Sequence, residues 1–132
     1  MDQDGKPTVL VVEDEQPLAK IITQKLQKRG IEVVTSRTVE QSLEYLSDVP
    51  NIKVIWLDHY LLGHEDGIDF LHKVKTADSR WRNIPVFVVS NTATADKVNT
   101  YIELGVEHYY TKSDNRLDDI VDEVCKKFDI SE

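Results

Sequence analysis

The chain has 132 residues, which suits one domain with a hydrophobic core, and its 40% hydrophobic and 30% charged residues are ordinary for a globular protein. With 16 basic against 24 acidic residues, the formal net charge of -8 argues against non-specific binding to nucleic acid or to anionic membranes. The sequence has one cysteine, no apolar stretch near the ~20 residues of a membrane span, and no secretion signal, so we expect a cytoplasmic protein.

Strand-like and helix-like segments alternate five times along the chain, which is typical of a parallel sheet wrapped by helices. The predicted strands cover residues 8–12, 31–35, 52–57, 85–89 and 107–111. The first three are rich in β-branched residues and nearly continuously apolar, as expected when both faces of a strand are covered. The second strand alternates partly with polar residues, so we expect it at the edge of the sheet.

Apolar residues at helical spacing predict five helices. Pro17 suits the first turn of the first helix, Gly30 suits its end, and Asp66 is a candidate cap for the third. Thr38 and Gln41 fit a capping box at the start of the second. We interpret each apolar stripe as core, including Leu18, Ile21, Ile22 and Leu26 in the first helix and Ala95, Val98, Tyr101 and Ile102 in the fourth.

The last apolar stripe ends near Phe128, and only a short tail follows it in the sequence. We therefore expect residues 1–132 to form a single domain with a core of about residues 8–128, short tails and no output domain. The lone Cys125 lies at an apolar helical position, where we expect a small buried hydrophobic residue.

Polar residues stand where the predicted strands end. Glu13 and Asp14 follow the first strand, Asp58 follows the third, Ser90 the fourth and Lys112 the fifth. In an open parallel sheet, the carboxyl ends of the strands open onto one crevice, where ligands bind. We expect these five side chains to converge there.

This set of side chains favours phosphoryl chemistry beside a divalent cation. Mg²⁺ prefers oxygen ligands, and it would offset the repulsion among Glu13, Asp14 and Asp58. A carboxylate can attack phosphorus to give an acyl phosphate, and Asp58 is the candidate nucleophile. Lys112 would neutralise charge on the phosphoryl oxygens, and the Ser90 hydroxyl would donate a hydrogen bond to one of them.

With these residues, the chain resembles the receiver domains of two-component response regulators from about Thr8 to Phe128. The motif residues match one by one: Glu13 and Asp14 the acidic pair, Asp58 the phosphorylated aspartate, Ser90 the hydroxyl residue, Lys112 the lysine and Tyr109 the aromatic switch. The resemblance implies an α/β, flavodoxin-like, doubly wound sheet of five parallel strands in the order 2-1-3-4-5, with five helices.

The resemblance also implies a function. A sensor histidine kinase or a histidine phosphotransfer protein would pass a phosphoryl group to Asp58, with Mg²⁺ or Mn²⁺ as cofactor. Ser90 and Tyr109 would then switch the face made by the fourth helix, fifth strand and fifth helix, and so signal to a downstream protein. The domain would be a phosphoacceptor that assists its own phosphorylation and dephosphorylation, not an enzyme, and a monomer or a phosphorylation-dependent dimer.

The sequence departs from the family pattern at several places around this crevice. Ser113 follows Lys112 where the family usually has proline, so we expect a trans peptide bond there. The backbone carbonyl of Tyr60 is expected to bind the metal, and its large side chain to screen the phosphoryl group. Asn91 either crowds the mouth of the crevice or hydrogen-bonds near the phosphate, and Thr92 is a further candidate at the mouth.

Other functions are less consistent with the sequence. A phosphatase with an aspartyl-phosphate intermediate generally needs a second acid two residues after the nucleophile, where this chain has Tyr60. A nucleotide or flavin binder needs a glycine-rich loop after the first strand, where Glu13 and Asp14 would repel phosphate. A receiver that acts as a scaffold without phosphorylation is the third alternative. The four histidines, His59, His64, His72 and His108, lack a regular zinc-ligand spacing.

Overall fold

The structure, a computed structural model, describes residues 6–91 and 94–128, in which strands and helices alternate. The strands are β1 (Thr8–Val12), β2 (Glu32–Ser36), β3 (Ile52–Leu57), β4 (Val86–Ser90) and β5 (His108–Thr111). The helices are α1 (Gln16–Gln27), α2 (Val39–Asp48), α3 (Gly67–Val74), α4 (Ala95–Glu103) and α5 (Leu117–Lys126). The predicted elements are confirmed to within a few residues at each boundary.

All five strands pair in parallel, in the order β2-β1-β3-β4-β5. The predicted doubly wound topology is therefore confirmed, and β2 lies at the edge of the sheet as expected. Val12, the last residue of β1, pairs with Ser36 on one side and with Leu57 on the other. The carboxyl ends of these strands are thus level, and the strand order reverses beside β1, which creates the crevice predicted from the sequence.

The sheet separates two apolar clusters, because successive side chains of a strand point to opposite faces. Val9 and Val11 of β1 belong to the cluster that contains the buried residues of α1 and α5. Leu10 and Val12 belong to the cluster that contains those of α2, α3 and α4. Both faces of β1 are consequently buried, and the strand leads directly into the crevice at the carboxyl edge of the sheet.

Side-chain caps mark where two of the helices, α2 and α3, begin. The Thr38 hydroxyl accepts a hydrogen bond from the Gln41 backbone N–H, as predicted, but the Gln41 side chain accepts from the backbone N–H of Arg37 rather than that of Thr38. At α3, the full reciprocal box forms instead between Asp66 and Asp69. This box fixes the start of α3 just after the loop that follows Asp58.

The helices differ in how much of their apolar stripe is buried. Four residues of α5 are buried, Cys125 among them, whereas Tyr101 is the buried residue of α4. The predicted core positions Ile21 and Ile102 are in fact 45% and 58% exposed, because each lies at the margin of its stripe. None of the helices in the described ranges combines the length and apolar character that crossing a bilayer requires.

Candidate phosphoacceptor and metal site

Backbone hydrogen bonds hold the candidate residues side by side just beyond the strands. The Glu13 N–H donates to the carbonyl of Ser36 at 2.9 Å, and the Asp58 N–H donates to that of Val12 at 3.0 Å. The Lys112 N–H donates to the carbonyl of Ser90 at 2.8 Å. The sheet ladder therefore continues through the first residue after three strands, and the side chains there start from fixed positions.

Three carboxylates meet in the crevice. Glu13, Asp14 and Asp58 each offer an oxygen, and these oxygens lie within 4.8 Å of one another. Glu13 and Asp58 are only 1% and 5% exposed, while Asp14 is half-buried. In an octahedron with Mg²⁺–oxygen bonds of ~2.1 Å, neighbouring ligands lie about 3 Å apart and opposite ones about 4.2 Å apart. A small decrease in the distances among the three carboxylate oxygens is enough for them to bind one Mg²⁺ ion together.

The site is electrostatically unfavourable when all its carboxyls are ionised. Burial, aided by the neighbouring charge of Asp58, raises the pKa of Glu13 to about 7, against the opposing effect of Lys112. Burial also raises the pKa of Asp58, and the charge of Lys112 opposes it. Two carboxyl groups that resist ionisation in one buried place are typical of a site that is completed by a cation.

Lys112 supplies part of the missing positive charge. Its ammonium nitrogen lies 3.2 Å from Glu13 Oε1 and 3.6 Å from Asp58 Oδ2. The lysine side chain is only 17% exposed, so these contacts are poorly screened by water. One ammonium between two carboxylates leaves the cluster with a net negative charge, and it places a donor beside the candidate nucleophile.

Ser90 and Tyr109, the predicted switch residues, are joined in this structure. Ser90 is fully buried at the end of β4. Burial raises the pKa of the Tyr109 hydroxyl, while a side-chain hydrogen bond with Ser90 opposes that rise. The Tyr109 ring also lies 5.5 Å, centroid to centroid, from the ring of Tyr101 on α4. A movement of the Ser90 hydroxyl would therefore affect the positions of two aromatic rings, those of Tyr109 and Tyr101.

Comparisons with known proteins agree with this geometry. The sequence profile of the response regulator receiver domain matches residues 9–124. The chain belongs to the response regulator receiver domain family. The two-component response regulator ORR5 of Oryza sativa is 30% identical over 112 residues, which cover 85% of this chain and 82% of that protein.

Two solved structures of response regulators resemble this receiver in sequence as well as in fold. The phosphorylated cyanobacterial phytochrome response regulator RcpA is 28% identical, with a TM-score of 0.79. The Mn²⁺-bound response regulator Rcp1 is 27% identical, with a TM-score of 0.77. Each comparison covers 91% of both chains. The flavodoxin-like fold predicted from the sequence is thus confirmed.

Tyr60 and Asn91, the residues predicted at the mouth of the receiver's crevice, are both exposed. The Tyr60 ring meets the ring of His59 edge-on, with centroids 4.7 Å apart, and Tyr60 as a whole is 55% exposed. Thr92 lies outside the described residues. The peptide bonds of the described ranges are all trans, including the one from Lys112 to Ser113, as expected for a chain without proline there.

Sequence reasoning missed two residues beside the nucleophile. The His59 backbone N–H donates to Asp58 Oδ1 at 2.8 Å, and the buried His59 ring is hydrogen-bonded to Tyr101 through Nδ1 at 2.6 Å. The position of His59 directly after Asp58 was the available signal, but it was weighed only as a zinc ligand. Within residues 6–91 and 94–128, the cluster suited to a metal ion is the acidic one, without a histidine.

Proposed function

We propose that this receiver accepts a phosphoryl group on Asp58 from the phosphohistidine of a sensor histidine kinase or a histidine phosphotransfer protein. The observation that carries the proposal is the convergence of Glu13, Asp14 and Asp58 within 4.8 Å, with the Lys112 ammonium 3.6 Å from Asp58 Oδ2. The phosphorylated relative RcpA and the Mn²⁺-bound relative Rcp1 support the same chemistry.

The transfer is a displacement at phosphorus. An oxygen of the Asp58 carboxylate forms the new P–O bond while the P–N bond to the donor imidazole breaks. The imidazole nitrogen leaves with the electron pair of that bond and takes a proton, so the donor histidine is regenerated neutral. Glu13 and Asp14, with Asp58 and the Tyr60 carbonyl, would hold Mg²⁺ or Mn²⁺, which supplies positive charge next to the phosphoryl oxygens when bound.

Lys112 and Ser90 act on the group that arrives. Lys112 exchanges its contacts with Glu13 and Asp58 for a contact with a phosphoryl oxygen, because the phosphoryl group as a whole carries more negative charge than either carboxylate. The Ser90 hydroxyl turns to donate to another phosphoryl oxygen, and this movement changes its hydrogen bond with Tyr109. Donors of this kind contribute most in a buried site, where water does not compete.

We propose that the receiver is a signalling phosphoacceptor rather than an enzyme that turns over a free substrate. Phosphorylation would be read by a partner at the face made by α4, β5 and α5, because Tyr109 lies on β5 and contacts Tyr101 on α4. Such a face has an active and a resting arrangement. To change the ratio of active to resting molecules from 1:99 to 99:1, the phosphoryl group must favour the active arrangement by about 5.5 kcal/mol. Charge-assisted hydrogen bonds to Lys112 and Ser90 are the residues' contribution to that difference.

Intact-mass measurement tests the proposal. The wild-type chain and Asp58→Asn are treated with a small acyl-phosphate donor, with Mg²⁺ and with chelator. We expect the wild type to gain the mass of one phosphoryl group in Mg²⁺ only, and Asp58→Asn to gain none. Equal labelling of both chains would overturn the assignment of Asp58. Continued release of inorganic phosphate at many turnovers per chain would instead favour the phosphatase alternative.

A further inference from the structure

α4 packs shallowly against the rest of the receiver. Among the described residues of this helix, Tyr101 is the one that is buried, and its neighbour Ile102 is largely exposed. The start of α4, Ala95, is also exposed. The position of the helix over the sheet therefore depends on what holds the Tyr101 side chain.

The Tyr101 hydroxyl is held beside the phosphoacceptor. It lies 2.6 Å from Nδ1 of His59, and both residues are almost completely buried. The absence of a side chain at Gly67 makes the room, because a Cβ atom there would overlap the Tyr101 hydroxyl. Gly67 is itself fixed by a hydrogen bond from its N–H to the His59 carbonyl at 2.9 Å. A built pocket therefore receives the end of Tyr101.

The direction of this hydrogen bond follows from the surroundings of His59. A neutral imidazole has one donor and one acceptor nitrogen. Nε2 faces the Asp66 carboxylate, 3.7 Å away, which favours the proton on Nε2. Nδ1 is then the acceptor, and the Tyr101 hydroxyl donates to it.

Both partners are also connected to the residues that the phosphoryl group would move. The His59 N–H donates to Asp58 Oδ1 at 2.8 Å, an oxygen that loses negative charge when Asp58 is phosphorylated. The Tyr101 ring packs against Tyr109, which is hydrogen-bonded to Ser90. Phosphorylation therefore disturbs the His59–Tyr101 contact from both of its ends.

We propose that the His59–Tyr101 hydrogen bond holds α4 in its resting position and thereby opposes phosphorylation of Asp58. His59 and Tyr101 are positioning residues, since they act through the backbone of Asp58 and through Tyr109. The inference rests on the proposed function, and it adds the element that sets the balance between the resting and active arrangements. It also explains why the residue directly after the phosphoacceptor is a buried histidine.

Thermodynamic reciprocity gives the proposal a definite sign. If the bond stabilises the resting arrangement, its loss makes the active arrangement easier to reach, and a ligand that favours the active arrangement binds more tightly. A purely structural role predicts the reverse, because loosening a helix beside a site weakens binding there. The direction of the change in affinity therefore distinguishes the two roles.

The experiment measures the affinity of the Mg²⁺-loaded receiver for beryllofluoride, which takes the place of a phosphoryl group on a carboxylate. We expect Tyr101→Phe to bind about fivefold more tightly than the wild type, the factor that corresponds to one net hydrogen bond of ~1 kcal/mol. Tyr110→Phe is the matched control. The Tyr110 ring stacks on Phe87 in the opposite apolar cluster, so its affinity should equal that of the wild type.

Two variants of His59 test whether a change in affinity comes from the lost hydrogen bond or from a change in folding. His59→Asn keeps a side-chain oxygen near the place of Nδ1 and should stay within a factor of two of the wild type, whereas His59→Leu should resemble Tyr101→Phe. Unchanged or weaker binding by Tyr101→Phe, with the wild type binding normally, overturns the inference alone. A wild type that fails to bind beryllofluoride in Mg²⁺ overturns the proposed function, and the inference with it.

Discussion

The ammonium nitrogen of Lys112 lies 3.2 Å from Glu13 Oε1, a contact between residues that are 99 positions apart in the sequence. The contact joins the end of β5 to the end of β1 across the crevice. Glu13 itself is almost completely buried. Before phosphorylation, the lysine therefore occupies a position from which the incoming phosphoryl group must draw it away.

Lys112→Met should slow phosphorylation of Asp58 by a small acyl-phosphate donor. We expect a loss of about 100-fold, the size of effect that removal of one preorganised donor to a developing oxyanion produces. The rate of mass gain in excess Mg²⁺ measures it. Lys25→Met serves as the control, because Lys25 of α1 forms an exposed ion pair with Asp118 of α5 and its loss should leave the rate unchanged. Equal rates for the two variants would contradict the role of Lys112.

The stability of the metal-free receiver should fall as the pH rises. Because the pKa of Glu13 is raised from 4.5 to about 7, the folded state binds more protons than the unfolded state between those values, and the free energy of unfolding decreases across that window. The raised pKa of Asp58 acts in the same direction. We expect a decrease on the order of 2 kcal/mol between pH 5 and pH 8, measured by urea unfolding in chelator.

Glu13→Gln provides the comparison for this pH dependence. It lacks the titrating carboxyl, so its stability should change less between the same pH values. At pH 8, Mg²⁺ should restore stability to the wild type, because a ligand of the folded state stabilises it in proportion to the logarithm of its concentration above Kd. Identical pH profiles for the wild type and Glu13→Gln would show that this carboxyl does not titrate as described.

Tyr60 should lengthen the lifetime of the acyl phosphate. Its exposed ring lies two residues after Asp58 and packs edge-on against the ring of His59, so we expect it to hinder the approach of water to Asp58. We expect slow hydrolysis in the wild type and faster hydrolysis in Tyr60→Ala by about tenfold, a change of ~1.4 kcal/mol in the barrier. Tyr60→Phe keeps the ring and should match the wild type. The decay of the phosphorylated mass with time measures all three, and a wild-type half-life of seconds would rule out the shielding.

Gly67→Ala should destabilise the receiver through a clash with Tyr101. The added methyl group would overlap the Tyr101 hydroxyl and approach the Asp58 carbonyl at 3.0 Å, and overpacking of this kind costs about 1–3 kcal/mol. Part of this loss should return when Tyr101→Phe is combined with Gly67→Ala, because the phenylalanine lacks the overlapping atom. Urea unfolding of the four chains gives the coupling energy, and strict additivity would contradict the steric explanation.

The pattern of the sequence was sufficient for the convergence of the acidic residues, because strand ends in a parallel sheet share one edge and the polar residues stand directly after apolar runs. The order of the strands followed from the resemblance to receiver domains, and the structure confirms it. It was insufficient for the partner of His59, which lies 42 positions away on a helix. Helical spacing placed Tyr101 and Ile102 together in a core stripe, since it cannot tell how deeply a helix packs. Only the three-dimensional arrangement distinguishes the fully buried tyrosine from its exposed neighbour.

Because α4 and α5 are buried to different extents, we expect them to differ in how readily they unfold locally. α5 inserts four residues into one apolar cluster, whereas α4 inserts a single tyrosine into the other. Local opening is least costly where few apolar contacts are lost. Backbone amides of α4 should therefore exchange with deuterated solvent sooner than those of α5. A partner that binds at α4 would thus contact a helix that changes its position more easily than the rest of the domain.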